Sequence, residues 1–311
     1  MNIALQNKKI EIHYFFNDEQ QHFMDAVIRN KCEHELLEII KRVGVILDLE
    51  IDLESYAFKE GGLREWFKIK VKNKTFTILE TIIIGVLINV ISNKLTTDNE
   101  LVEYQKEYYR QQIQKYPEVN PEETARIISH DLKVRKHKSN YFTNLRTYNK
   151  IKKIETSVLS EDNSPIETYT INKPEFDNFI LPSDNLPVVK DEEAVIEIVS
   201  PIIKPQKGKS YKWKGIYNGA IIDFYMKDAK FKSDISNNKI SFKNGTYIDC
   251  VLEINQKINE VGEKYNSSYS VLIVNSSDDG EVTVITEQGK SYKKKKIEFN
   301  RQTSINWGVE E

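Results

Sequence analysis

The stretch that decides the fold runs from residue 194, where short alternating apolar runs follow one another: AVIEIV at 194–199, YKWKGIY at 211–217 and AIIDFYM at 220–226. Five further runs continue the pattern: ISF at 240–242, TYIDCVLEI at 246–254, YSVLIV at 269–274, EVTVIT at 281–286 and KKKIEF at 294–299. Each predicts a β-strand, and in this part of the chain only 228–236 favours a helix. Strands at this spacing are typical of a compact antiparallel β-barrel or sandwich.

The N-terminal part of the chain mixes both periodicities. Alternation predicts strands at 9–16, 49–58 and 63–71, whereas an apolar stripe recurring every three or four residues predicts a helix over 19–47. Since one amphipathic helix can cover a short sheet, we expect a small α+β layer here. The fold class predicted for the whole chain is therefore α+β.

The middle of the chain favours helices and then a connector. Helices are expected after Thr97 and after Asn120-Pro121, and a third is expected to be capped by Ser139 or Asn140. The turn-forming sequence EDNSP at 161–165 predicts a hairpin between strands at 154–159 and 167–171. Ten acidic and two basic residues lie between 161 and 200. The predicted domains are therefore an N-terminal α+β domain (1–97), a basic helical region (98–160), an acidic connector (161–193) and a β-rich domain (194–311).

Composition narrows the classes of function. The chain holds 45 basic and 47 acidic residues, so it is not a polycation as a whole. Cys32 and Cys250 are too few for a disulfide framework, and no secretory leader pattern opens the sequence, so we expect a cytoplasmic protein. The richness in Lys, Asn and Ile favours a bacterial source. No metal-ligand spacing and no phosphate-binding glycine pattern occurs, so we predict no metal and no cofactor.

Residues 76–92, FTILETIIIGVLINVIS, are the most apolar run. A membrane-spanning helix needs about 20 apolar residues, and Glu80 and Asn89 interrupt this run. One interpretation is a buried helix or strand pair in the N-terminal core. The other is an element that joins copies of the chain or contacts the inner membrane. The residues assigned to assembly or membrane contact are Ile82, Ile83, Ile84, Gly85, Val86, Leu87 and Ile88.

Arg29 and His34 lie five positions apart in the sequence RNKCEH. This pattern resembles the Arg-x4-His motif of HEPN-type ribonucleases. The resemblance implies that Arg29 holds a phosphate and that His34 acts as acid–base catalyst toward a 2′-hydroxyl. The alternative is an exposed helix face on which Arg29 pairs with Glu33, four residues later.

The strongest basic cluster lies at 131–153, which contains eight basic residues and one acidic residue. Tyr141, Phe142 and Tyr148 lie between the basic residues. Two short helices followed by a hairpin are loosely similar to a winged helix-turn-helix, which makes nucleic acid a candidate partner. The alternative is a basic face that docks the acidic residues of 161–200. The residues assigned to nucleic-acid binding are Lys133, Arg135, Lys136, Lys138, Arg146, Lys150, Lys152 and Lys153.

Aromatic residues gather at the start of the β-rich domain, where Trp213, Tyr217, Phe224 and Tyr225 could fill a barrel core or line a ligand groove. Together these features favour a non-enzymatic binding or assembly protein, comparable in layout to bacterial antiviral defence or toxin-like effectors. It would form a homo-oligomer or contact a membrane through 76–92, while the β-rich domain binds an unknown protein or small ligand. The alternatives are a nucleic-acid-binding protein and a HEPN-like ribonuclease.

Overall fold

The structure is a computed structural model of the chain, and it describes residues 9–20, 23–55, 63–71, 79–90, 107, 111, 120–202 and 211–305. The chain divides into two compact units, of which the first comprises Met1–Asp184 with Ile258–Lys264 and the second Asn185–Lys257 with Tyr265–Glu311. Both helices and strands are abundant, so the predicted α+β class is confirmed.

A five-stranded antiparallel sheet forms the centre of the first unit. Its strands are β1 (Lys9–Phe16), β2 (Ile51–Ser55), β3 (Leu63–Val71), β4 (Ile151–Leu159) and β5 (Pro165–Asn172), in the order β2-β3-β1-β4-β5. The alternation seen in the sequence buries Ile10, Ile12 and Tyr14 on one side of the central strand β1. Strand β4 belongs to the region predicted as basic and helical, and strand β5 belongs to the predicted acidic connector. Both strands are part of this sheet.

Four helices accompany the sheet in the described ranges: α1 (Ala26–Leu47), α2 (Leu79–Ile88), α3 (Pro121–Ile128) and α4 (Leu132–Thr147). The side chains of Asp25, Asn120 and Asp131 accept first-turn amides of α1, α3 and α4. The helix start predicted at Asn120-Pro121 is confirmed, whereas α1 begins at Ala26 because Asp25 caps it. Nearly all of the helix predicted after Thr97 lies outside the described residues.

The predicted helix start at Ser139 or Asn140 is wrong, because α4 continues through both residues. Their side chains bond to neighbouring segments and do not cap a helix. The Ser139 hydroxyl accepts the amide of Leu181 at 3.0 Å, and Asn140 Nδ2 donates to the carbonyl of Glu260 at 3.1 Å. These polar residues are satisfied by tertiary partners, which a local pattern does not reveal.

The second unit is a closed barrel. Its elements are β6 (Val189–Ser200), β7 (Trp213–Tyr217), β8 (Ala220–Met226), α5 (Ala229–Ser236), β9 (Tyr247–Ile258), β10 (Lys264–Asp278), β11 (Thr283–Ile285) and α6 (Glu287–Ile305). Strands β9, β6, β7 and β8 pair antiparallel in that order, β10 lies parallel to β8, and β10 also pairs with β9 and closes the ring. The barrel prediction is therefore confirmed, except that the pairing of β8 with β10 is parallel and not antiparallel.

The connectivity of this barrel is specific. Counting its five strands from β6, they lie in the order 1-2-3-5-4 and close back on the first, with α5 between the third and fourth. This is the connectivity of the OB-fold. Trp213, Phe224 and Phe231 fill the interior. Gly215 lies beside them, and a larger residue would not fit there because its Cβ would lie 2.6 Å from Cγ2 of Ile196.

Two of the predicted strands are wrong: residues 240–242 form no strand between α5 and β9, and residues 294–299 belong to helix α6. A strand would point every second lysine of 293–296 toward the barrel. In the helix Lys293, Lys294 and Lys295 are exposed and Lys296 is half-buried, so their ammonium groups keep contact with water.

Candidate functional sites

The apolar side chains of α2 lie in the core of the first unit. Ile82, Ile83, Ile84, Val86 and Leu87 are at most 4% exposed, and Ile88 is half-buried. Gly85 lies against α3, where an added Cβ would lie 2.7 Å from the Cβ of Ala125. Among the described helices, none is both long and apolar enough to cross a bilayer. In this geometry the segment serves as a core helix, which was one of the two interpretations of the sequence.

The buried side chain of Lys138 caps the C-terminal end of α2. Its side chain is fully buried, and Nζ donates to the carbonyls of Val86 and Asn89 at 2.8 and 2.6 Å. These carbonyls lie at the C-terminal end of α2, where backbone acceptors lack helical partners and the helix dipole favours a cation. Burial lowers the pKa of Lys138 to about 7.

Most of the other basic residues assigned to nucleic acid are also held by the first unit. Arg135 and Lys136 are buried. The ion pairs are Lys133–Glu263 at 2.9 Å, Lys136–Asp184 at 3.0 Å, Arg146–Asp177 at 2.7 Å and Lys153–Glu155 at 2.6 Å. Lys150 and Lys152 are exposed. Asp177 and Asp184 come from the acidic stretch, so these pairs match the docking alternative more closely than an open cationic surface.

Arg29 and His34 do not form a pair. Arg29 bonds Glu65 at 3.0 Å and Glu33 at 3.4 Å, whereas His34 is exposed. Five helical positions separate two side chains by about 140° around the axis. The HEPN resemblance also implies an all-helical bundle, whereas α1 accompanies a five-stranded sheet. The structure therefore assigns Arg29 to a carboxylate network.

That network is one that the sequence did not reveal. Glu65 is 3% exposed, and its carboxylate accepts the hydroxyl of Tyr14 at 3.1 Å. The hydroxyl of Tyr141 donates in turn to that of Tyr14 at 3.4 Å. Burial raises the pKa of Glu65 to about 7, although the Arg29 guanidinium acts against this rise. The network joins α1, α4 and two strands, so it is a polar element of the core.

The outer face of β6, β7 and β8 carries apolar side chains together with charges of both signs, among them Lys214, Asp223 and Glu197. Ile221 is 69% exposed and faces Ile216 across the β7–β8 pair. Val195 and Val199 on β6 are 52% and 49% exposed. Patches of exposed apolar side chains on one surface are typical of binding sites. We call these residues, with Lys212, Lys214 and Tyr225, the barrel face.

Alternation divides the four aromatic residues between the two sides of the wall. Trp213 and Phe224 point inward and are buried, and Tyr217 packs at the edge of the interior. Tyr225 follows Phe224 and points outward, where Lys212 Nζ lies 5.2 Å from its ring centroid. Lys214 is also on the barrel face, and its Nζ lies 3.9 Å from Asp223 in an exposed pair. Tyr225 is therefore the aromatic residue of this set available to a ligand.

Comparison with known proteins adds no assignment: the chain matches no protein-family model, no curated protein and no solved structure. The class of protein thus rests on the barrel connectivity and on the residues of the barrel face.

Proposed function

We propose that this chain is a non-enzymatic binding protein whose barrel face binds single-stranded nucleic acid. The carrying observation is the outward-facing, half-buried ring of Tyr225 beside exposed Ile221 and Lys214 on the second and third strands of an OB-type barrel, with exposed Lys212 just before the second strand. In OB-folds these strands and the neighbouring loops bind oligonucleotides or oligosaccharides.

The chemistry of the barrel face favours a nucleic acid over a neutral sugar. Bases stack on aromatic and apolar side chains, while lysines attract the phosphates that lie between them. Lys212 and Lys214 lie beside Tyr225 and Ile216, which places cations and an apolar surface within one short stretch. In sequence, 201–212 adds Lys204, Lys207 and Lys209 and contains no acidic residue.

The test is the anisotropy of a fluorescein-labelled 20-nucleotide oligodeoxythymidine titrated with the full chain at several salt concentrations. We expect binding that weakens as salt rises. Tyr225→Ala should weaken it by about 5- to 150-fold, because stacking contributes about 1–3 kcal/mol per base. Tyr169→Ala, which removes a 38% exposed tyrosine of β5, is the matched control and should leave affinity unchanged. Absence of binding at the lowest salt concentration would refute the proposal.

The same titration separates this proposal from the basic region 131–153. The double variant Lys150→Glu/Lys152→Glu reverses two exposed cations of that region. We expect it to bind like the wild type, whereas Lys212→Glu/Lys214→Glu should bind weakly. The opposite order would move the interface to the first unit.

The assembly role predicted from the sequence is a separate proposal, which light scattering after size exclusion tests. A homo-oligomer would need another surface, because the side chains of 82–87 are enclosed by the first unit. For such a homo-oligomer we propose the exposed apolar residues of the barrel face as the contact surface between copies.

A further inference from the structure

A row of side chains crosses the outside of the barrel from β9 to β8. The strand register pairs Tyr247 of β9 with Glu197 of β6. It also pairs Glu197 with Ile216 of β7, and Ile216 with Ile221 of β8. Directly opposed residues of antiparallel strands have Cβ atoms about 4.5–5.5 Å apart. Tyr247 therefore extends the barrel face by one strand, and Glu197 lies between Tyr247 and Ile216.

This row faces away from the barrel core. Ile196 and Ile198, the neighbours of Glu197 along β6, are buried in the core, so alternation directs Glu197 outward. Tyr247 is 46% exposed and Ile221 is 69% exposed, whereas Glu197 is half-buried between their strands. A ligand on the barrel face can therefore contact an aromatic ring and a carboxylate side by side.

Glu197 differs from the other acidic residue of the barrel face. Asp223 lies 3.9 Å from Nζ of Lys214 and so has a cation nearby. For the carboxylate of Glu197, the described part of the chain provides no ion pair and no hydrogen bond. An unpaired negative charge repels the phosphates of a nucleic acid. It favours binding only where the ligand brings hydrogen-bond donors to it, because a bond to an ionised acceptor is stronger than one to a neutral acceptor.

The bases differ in the donors that they offer to a carboxylate, which has two oxygens and only accepts hydrogen bonds. Guanine has two adjacent donors on its Watson–Crick edge, N1–H and the N2 amino group. Adenine and cytosine have one amino group there beside a ring nitrogen acceptor. Thymine has one N–H between two carbonyl oxygens, which a carboxylate repels. Single-stranded bases are recognised by stacking on aromatic side chains together with hydrogen bonds to these edges.

We propose that the barrel face selects guanine. The carboxylate of Glu197 accepts N1–H and the N2 amino group of the base, and the base stacks on the ring of Tyr247. This inference rests on the proposed function, because it names the base that the same surface recognises. Glu197 is then a specificity-determining residue, whereas Tyr225 and the lysines contribute affinity for a single strand of any sequence.

Anisotropy titrations of the full chain with two fluorescein-labelled strands test the inference. One is a 20-nucleotide strand of alternating guanine and thymine, and the other is the oligodeoxythymidine of equal length. Both are titrated in lithium chloride, because lithium does not support guanine quartets. We expect the guanine strand to bind about 5- to 150-fold more tightly, the range for a side chain with two hydrogen bonds to a base. A strand with inosine in place of guanine lacks only the N2 amino group and should lose most of this gain.

Two acid-to-amide variants separate base recognition from charge. Glu197→Gln should remove the preference for the guanine strand, while its affinity for oligodeoxythymidine should not fall, because a charge that repels phosphates is lost. Asp223→Asn removes the same charge from the acid that lies beside Lys214 and is the matched control. It should change the affinity for both strands by the same factor. Circular dichroism checks that both variants are folded.

The outcomes distinguish this inference from the proposed function. Equal affinity of the wild type for the guanine and thymine strands overturns the inference. It is also overturned if the preference persists in folded Glu197→Gln, or if the inosine strand binds as tightly as the guanine strand. In each of these cases, salt-dependent binding of oligodeoxythymidine still supports the proposed function. If neither strand binds, the proposed function fails and the guanine site with it.

Discussion

The two units differ in balance, because buried charges are more frequent in the first and exposed apolar side chains are more frequent in the second. The first unit buries charged groups, among them Glu65, Lys138 and Arg135, in a core of helices on a sheet. The second exposes apolar groups, including Ile221 and Val195, on the outside of its barrel. Much of the basic region 131–153 therefore belongs to the core of the first unit. The exposed apolar residues of the barrel face are the better candidate interface.

This contrast has a physical cause. A buried charge is tolerated where it meets several partners, as Lys138 does at the end of α2. An exposed aliphatic side chain needs no such partner. A patch of such side chains favours binding of a ligand, because binding removes apolar surface from water. A charge count along the sequence cannot separate these two situations, because both depend on residues far away in the chain.

The largest expected effect compares two isoleucines. Ile83→Ala, at a fully buried position of α2, should lower the free energy of unfolding by about 2–5 kcal/mol. Ile221→Ala, at a 69% exposed position, should change it by less than about 0.5 kcal/mol. Urea denaturation followed by circular dichroism measures both. An unchanged midpoint for Ile83→Ala would show that α2 is not a core helix and would revive the assembly interpretation.

Glu65 should make the first unit less stable as pH rises. Its pKa is about 4.3 in the unfolded chain and about 7 in the folded one, so between these values the folded state holds the proton that the unfolded state releases. Stability due to this group is present below pH 4 and is lost up to pH 7, by about 3 kcal/mol. Glu65→Gln, which stays neutral, should flatten this part of the curve of unfolding free energy against pH. A curve identical to the wild type would contradict the burial of the carboxylate.

Lys138 should produce the opposite slope at higher pH. Its pKa falls from about 10.4 in the unfolded chain to about 7 on burial, so the unfolded state binds more protons between these values. The unfolding free energy should therefore rise by about 2 kcal/mol from pH 7 to pH 9. From about pH 8.5, where the thiol of the unfolded chain begins to lose its proton, buried Cys32, whose pKa burial raises, opposes the rise. In Lys138→Met the rise should disappear; its persistence would assign it to another group.

Regular features of the fold were predictable from the sequence. The limits of β1 and β3 follow from their alternating patterns, which Glu65 interrupts in β3, and Asn120 before Pro121 correctly predicts the start of α3. The barrel follows from evenly spaced strands between 194 and 286. These features depend on neighbours within a few residues, which is the range that a sequence pattern samples.

The candidate sites depend on longer distances and were largely hidden. Lys138 bonds residues about 50 positions earlier, so no local pattern shows that it is buried. Tyr225 could be recognised as aromatic, but its outward direction depends on the pairing of β7 with β8. The bulge in β6 and the docking of α6 on β10 also depend on residues far apart in the chain, and neither was predicted. A pattern of strands thus predicts a barrel without predicting what its outer surface binds.

The smallest expected effect separates stability from binding at one lysine. Lys214 and Asp223 are both about half exposed and 3.9 Å apart, so their interaction contributes little to folding. Lys214→Ala should change the unfolding free energy by less than about 0.5 kcal/mol. If Lys214 contacts a phosphate, the same variant should reduce the slope of log affinity against log salt by about 0.7 in the oligonucleotide titration. A stable variant with an unaltered slope would exclude Lys214 from the interface and leave Lys212 as the described cation beside Tyr225.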